Sequence, residues 1–427
     1  MTRMVASLSA LLLSVVFLIS GNAFLMTLLG IRLSIEQVTP DIIGWILVCY
    51  SAGFVVGTLY VHNIIGRVGH IRAFAVFAAM AAVAALMYPM AVSALFWAAL
   101  RVLSGFSVAG VLVVIESWFS SRATNSNRGS LFAVYQIIFY LSAAGGQLVV
   151  NVGNPADFLP FSLAAILLTL AVIPLSMTRM EAPAIEHTHR MSVFKLARES
   201  FSGVAGALVS GALIGGFYAL GPVYATLVGL DVGKTSTFMA TAIVAAMLLA
   251  WPMGRICDLF DRRRVMFWVS LLACSAAIAV AITGAQSLLM LTALVAVYTG
   301  LSATLYPIAV AITNDRMDSN RIVAASATLL LSYGIGSVMG PIVMAELVHL
   351  LGPSGLFYGN AGFLIVLAAI TRFRIMQTDD VPVAEQEHFV PAMPEASAVL
   401  SEIDPRNEAF CESPEAEAMQ EEMRHGH

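Results

Sequence analysis

The chain has 427 residues, of which 59% are hydrophobic and only 11% charged, with a formal net charge of −4. Such a composition excludes a soluble globular protein and a nucleic-acid binder, both of which need a dense polar or basic surface. Four cysteines (Cys49, Cys257, Cys274 and Cys411) are scattered without pairing or ligand spacing, so neither a disulfide framework, a metal centre nor a cofactor is expected.

A bilayer core about 30 Å thick needs roughly 20 apolar residues per helix. Segments of that kind lie near 6–30, 42–64, 72–91, 94–118, 130–151 and 158–178, then near 202–228, 235–257, 265–284, 287–312, 322–348 and 354–373. The pattern predicts twelve transmembrane helices, and continuous apolar runs without alternation exclude a transmembrane β-barrel. The first run follows Arg3 and contains the small triplet Gly21-Asn22-Ala23, as a signal peptide would, but it continues past that triplet and reads as a span. Of the 20 basic residues before position 377, 17 fall beside every second connection, while the other connections hold only Arg32 and Lys234. Basic loops stay in the cytoplasm, so the expectation is a multi-pass protein of the bacterial inner membrane with both termini cytoplasmic.

Four regions are expected: a first six-helix bundle over 1–178, a central cytoplasmic loop over 179–200, a second bundle over 201–376, and a disordered acidic tail over 377–427. The bundles are weakly self-similar at a shift of about 192 residues, which sets Gly66-Arg67-Val68-Gly69-His70 on Asp258-Leu259-Phe260-Asp261-Arg262. The tail holds 13 acidic and 2 basic residues against 13 and 20 in the body, together with Pro382, Pro391, Pro394, Pro405 and Pro414. Little in it can pack, apart from a short helix near Glu415 to Met423; it reads as a solubilising end or as a partner-binding segment.

The sharpest motif closes span 8: Gly254-Arg255-Ile256-Cys257-Asp258-Leu259-Phe260-Asp261-Arg262-Arg263-Arg264. It resembles the loop signature G-x-x-x-D-R/K-x-G-R/K-R/K of the major facilitator superfamily, with Leu259 at the first basic position and Asp261 at the second glycine. Gly254 permits close approach of a neighbouring helix, Asp258 sits at the membrane edge, and Arg262 and Arg263 anchor the loop in water. The resemblance implies a latch between the bundles. In the first half Arg67 and Gly69 are kept, but Gly66 stands at the acidic position and His62 at the leading glycine, so the stronger gate is expected in the second half.

Span 4 carries Arg101-Val102-Leu103-Ser104-Gly105, similar to the superfamily's R-x-x-x-G motif. Arg101 lies roughly 10 Å inside the segment, where a guanidinium is costly unless it serves function, or snorkels. Glu116 lies about 22 Å further along and is expected to pair with Arg67, Arg122 or Arg128, as a structural ion pair or as a proton carrier. Glu116 and Glu346 are the intramembrane carboxyl candidates. In span 11, Gly336, Gly340 and Pro341 resemble a glycine–proline rocker, whereas Ala143 to Gln147 of span 5 lack the proline of the antiporter signature. With Val114-Ile115-Glu116-Ser117, Asn127-Arg128-Gly129, Gly146-Gln147-Leu148-Val149 and Thr304-Leu305-Tyr306-Pro307, the chain resembles the YcaD-type subgroup of bacterial major facilitators over about residues 5–375.

The resemblance implies two pseudo-symmetric six-helix bundles and secondary active transport of a small organic solute by alternating access, in a monomer. Proton coupling is left open. A receptor-like or lipid-handling protein with the same fold is the alternative. Cavity-lining candidates are Asn22, Gln136, Tyr140, Gln147 and Tyr218, with Tyr224, Trp251, Tyr306 and Tyr333. They favour a small, neutral or weakly acidic solute with some flat apolar surface. The phosphate-loop echo Gly229 to Thr235 is one residue short and follows no strand; no hydrolase or zinc-protease motif is present, so no enzyme is expected.

Overall fold

The computed structural model describes residues 2–121, 128–178, 191–284, 286–318 and 321–377, together with Pro382, Gln386, Phe389, Ala392 and Met393; for residues 2–7, 128 and 129 only the backbone is described. Among these residues all regular structure is helical. The first half comprises α1 (Thr2–Ile35), α2 (Pro40–Val68), α3 (His70–Met87), α4 (Ala94–Ser120), α5 (Arg128–Val149), α6 (Leu159–Leu170) and α7 (Val172–Ser176). A short α8 (Val193–Glu199) leads into α9 (Phe201–Leu227), α10 (Val232–Leu259), α11 (Arg262–Thr283), α12 (Leu288–Asn314), α13 (Ile322–Leu351) and α14 (Gly355–Gln377). Twelve segments are long and apolar enough to cross a membrane, with α6 and α7 forming one of them.

The turn chemistry explains the boundaries. Asp231 caps α10 by accepting the Lys234 backbone N–H at 2.8 Å, a bond that also holds its carboxyl below the usual range. Asp261 caps α11 in the same way through Arg264 N–H at 2.8 Å. The residue that replaces the signature's glycine thus starts a helix there. As a consequence α11 begins at Arg262, earlier than the apolar run alone predicts, and Arg262 and Arg263 are buried at 1% and 4% exposure. That corrects the expectation that both arginines anchor a loop in water.

The packing repeats between halves. In the first half α1 packs on α5 and α6, α2 on α4, and α3 on α4 and α6. In the second half α9 packs on α13 and α14, α10 on α12, and α11 on α12 and α14. Each pair maps on its counterpart when α1–α6 are exchanged with α9–α14. The contacts between halves obey the same exchange: α2 meets α13, α5 meets α10, and α1 meets α9. This is a two-fold arrangement of two six-helix bundles.

Close crossings depend on glycine. A Cβ on Gly336 would stand 1.9 Å from the Leu208 carbonyl oxygen, and one on Gly340 2.1 Å from that of Ala212, so α9 and α13 meet backbone to backbone.

Each bundle has an end carrying the basic connections (the basic end) and an opposite end. At the opposite end, Gly44 of α2 sits so near α13 that a Cβ would lie 2.2 Å from Ala345 Cβ. His349 Nδ1 is 3.6 Å from Asp41 Oδ1 there, and Ser236 Oγ donates to the Gln147 carbonyl at 2.6 Å. The halves are therefore closed against each other at that end. At the basic end, Phe389 and Met393 of the acidic tail rest on the body, with Met393 only 4% exposed. At these positions the segment expected to be disordered is packed, because apolar Phe389 and Met393 find apolar partners.

Candidate functional site

A cavity of about 180 Å³ lies between the halves, lined from α1, α2, α4, α5, α9, α10 and α13. Asn22, Tyr140, Gln147, Tyr218 and Tyr333 of the expected residues line it. Gln147 is fixed from three directions. Its Oε1 accepts Thr27 Oγ1 at 2.5 Å, its Nε2 donates to the Ala23 carbonyl at 3.3 Å, and its own carbonyl accepts Ser236. Asn22 Nδ2 donates to the Tyr50 hydroxyl at 3.1 Å. Polar groups with set directions among apolar walls are what a solute site requires.

The other candidates lie elsewhere. Tyr306 stands behind Tyr333, ring centroids 5.3 Å apart and edge to face, so it supports the wall. Gln136 lines a smaller cleft nearer the basic end, shared with Tyr140. Tyr224, six residues and hence about 120° round the helix from Tyr218, packs into the second bundle against Phe357. Trp251 is 65% exposed, off the inward stripe of Met239, Ile243, Ala246, Ala250 and Met253, and carries the Arg255 guanidinium 4.0 Å over its ring. Neither Tyr224 nor Trp251 reaches the cavity; Trp251 has the position of an interfacial aromatic.

Arg101 is 1% exposed, and its guanidinium carbon lies 4.5 Å over the Tyr50 ring. Its Nη2 donates to Met26 Sδ at 2.7 Å. Gly105 makes this possible: a Cβ there would stand 2.0 Å from the Tyr50 carbonyl oxygen, so its absence lets α2 bring the phenol under the arginine. Arg101 does not snorkel. It sits directly behind Tyr50 and Met26, both of which line the cavity.

Glu116 is fully buried and accepts the Tyr135 hydroxyl at 2.7 Å. Of its expected partners, Arg67 is exposed without an ion pair among the described residues, while Arg122 and the Arg128 side chain lie outside them. Glu346 is exposed on α13, which removes it from the buried carboxyls. In the loop cluster Arg262 Nη1 pairs with Asp315 Oδ1 and donates to the Ala311 carbonyl at 3.4 Å, both partners belonging to its own half. Asp258 Oδ1 is 3.9 Å from Arg262 Nη2 and accepts the backbone N–H of Phe389 at 2.8 Å. Gly254 faces the Phe389 ring rather than a helix, with 3.1 Å from the place of a Cβ to that ring. Outside the spans, Arg321 binds both oxygens of Glu199 at 2.7 Å, which raises the guanidinium's already high pKa and ties α8 to α13.

The family model of the Major Facilitator Superfamily matches residues 8–252 and again 238–410. The chain belongs to this superfamily. It is 31% identical over 374 residues to the uncharacterized MFS-type transporter YcaD of Escherichia fergusonii, covering 85% of this chain and 95% of that protein. The YcaD of Salmonella typhi is 29% identical over 381 residues, covering 88% and 97%. Among solved structures, the nucleoside transporter NupG superposes with a TM-score of 0.72 at 16% identity, covering 89% of this chain and 100% of NupG. A bacterial homolog of the human lysosomal transporter Spinster, inward-facing and occupied, also reaches 0.72 at 14% identity, covering 90% and 98%. This facilitator is thus a multi-pass membrane transporter with the twelve-helix fold expected.

Among the cavity-wall residues that the sequence does not point to are Tyr50, Met26, Thr27 and Ser51. Nothing near Tyr50 in the chain marks it. The usable signal is Arg101: a buried cation in a helix with Gly105 needs an aromatic or polar partner on the helix that crosses there.

Proposed function

We propose that this facilitator is a secondary active transporter that moves a small organic solute across the bacterial inner membrane by alternating access, without ATP. What supports this is the place of the cavity. It lies on the two-fold between the halves and is shut at one end by α2–α13 and α5–α10, contacts that the two-fold exchanges. Opening one such pair of contacts and closing its counterpart at the basic end would transfer access from one side to the other. With both termini cytoplasmic, the arrangement is inward-facing. Tyr140, Tyr218 and Tyr333 offer aromatic faces, and Asn22 and Gln147 offer amides, which suits a neutral or weakly acidic solute with a flat apolar surface.

The test is a thermal-stability screen of the purified protein against neutral and monocarboxylic aromatic solutes, followed by counterflow of each hit in proteoliposomes. A hit whose stabilisation disappears in Tyr218→Ala and Tyr333→Ala, and which undergoes counterflow, carries the proposal. A hit that stabilises the parent but never crosses the membrane would instead establish the receptor-like alternative.

A further inference from the structure

The cleft at the basic end holds a segment of the protein's own tail. Phe389 and Ala392 line it together with Gln136 and Tyr140 of α5 and Ala303 and Pro307 of α12. Three features make this a seat rather than a chance contact. The backbone N–H of Phe389 donates to Asp258 Oδ1 at 2.8 Å. The Phe389 ring occupies the space that a side chain at position 254 would fill. Met393, four positions further along the chain, is only 4% exposed.

The location has a consequence for access. The cleft runs between α5 of one half and α10 and α12 of the other, where the halves must approach each other if the basic end is to close. Tyr140 lines both this cleft and the central cavity, so the cleft is the approach to the cavity from that side. The signature carboxylate of Asp258 is occupied by tail backbone. Phe389, Ala392 and Met393 are apolar and stand between the acidic Glu385, Glu387 and Glu395, so they are suited to an apolar cleft while their charged neighbours are not.

We propose that Phe389, Ala392 and Met393 form a built-in plug of the basic-end cleft, obstructing the route to the cavity from the cytoplasmic side and wedging the two halves apart until it withdraws. The regulatory meaning of the plug rests on the alternating-access reading above; its occupancy of the cleft does not.

The experiment uses the full-length chain with its native cysteines replaced by alanine and a single cysteine introduced as Ala303→Cys, labelled with a membrane-impermeant maleimide. Phe389→Ala combined with Met393→Ala is expected to speed labelling at position 303 about ten-fold, because the apolar burial that holds the segment is lost. A control cysteine at exposed Val68 should label equally in both backgrounds, showing that the fold is intact. A synthetic peptide of residues 382–397, added to the double variant, should slow labelling again. Equal rates at position 303 with and without the two substitutions, or no protection by the peptide, overturn the proposal. Because the readout is accessibility, it decides the plug even if no solute flux is found, and absence of flux would count against the transport reading alone.

Discussion

The Arg101 guanidinium lies 4.5 Å over the Tyr50 ring, and the hydroxyl of the same tyrosine accepts from Asn22 at 3.1 Å. A single phenol therefore joins a buried cation to the wall of the cavity. Tyr50→Leu removes the ring that lies under the guanidinium. A desolvated cation–π contact is worth about 2 kcal/mol, so the melting temperature in detergent should fall by about 2 °C. Tyr50→Phe keeps the ring and should stay within about 1 °C of the parent. Equal melting of the parent and the leucine variant would show that Tyr50 does not hold Arg101.

Glu116 is a carboxyl fully buried within a span, and the Tyr135 hydroxyl donates to it. If it carries the coupling proton, Glu116→Gln should lose gradient-driven accumulation of the solute while keeping counterflow, which needs no net proton movement. Tyr135→Phe should weaken accumulation in the same sense. Loss of both activities in Glu116→Gln would assign the residue a structural role, and retention of both would remove it from the mechanism.

The seal at the opposite end depends on a missing side chain. Gly44→Leu cannot keep the approach in which even a Cβ would stand 2.2 Å from Ala345 Cβ. The variant should favour states open at that end, and a cysteine at Ser337 on the cavity wall should label about ten-fold faster from the periplasmic side. Unchanged labelling would place the closure elsewhere.

Orientation is tested by fusion. Reporters placed after Arg72, Arg128, Arg264 and Arg374 should all report cytoplasm, since the basic connections mark that side. A periplasmic signal at any of the four breaks the assignment of sides, and with it the inward-facing description of the cavity.

Much of the architecture was legible in the chain. The twelve spans and their repeat follow from the lengths of apolar runs and the basic residues between them, and the facilitator signature marked the turn into α11. The site was legible only in part. Asn22, Tyr140, Gln147, Tyr218 and Tyr333 reach the cavity, yet nothing local separates Tyr218 from Tyr224 or from Trp251, which point elsewhere. The motif around Gly254 implies close approach of a helix, yet this glycine faces Phe389, a residue 135 positions later.

The sequence by itself determined membrane residence, span number and the two-fold repeat, because each depends on local composition weighed against a bilayer of known thickness. Tertiary structure decided which face of each helix meets lipid, the neighbouring helix or the cavity. The physical reason is that lipid tails and helix interfaces are both apolar, so a spanning helix needs no polar stripe to show which way it turns. Only the crossing of α2 over Gly105 puts Tyr50 under Arg101, and only the meeting of α5 with α10 and α12 gives Phe389 a place to lie.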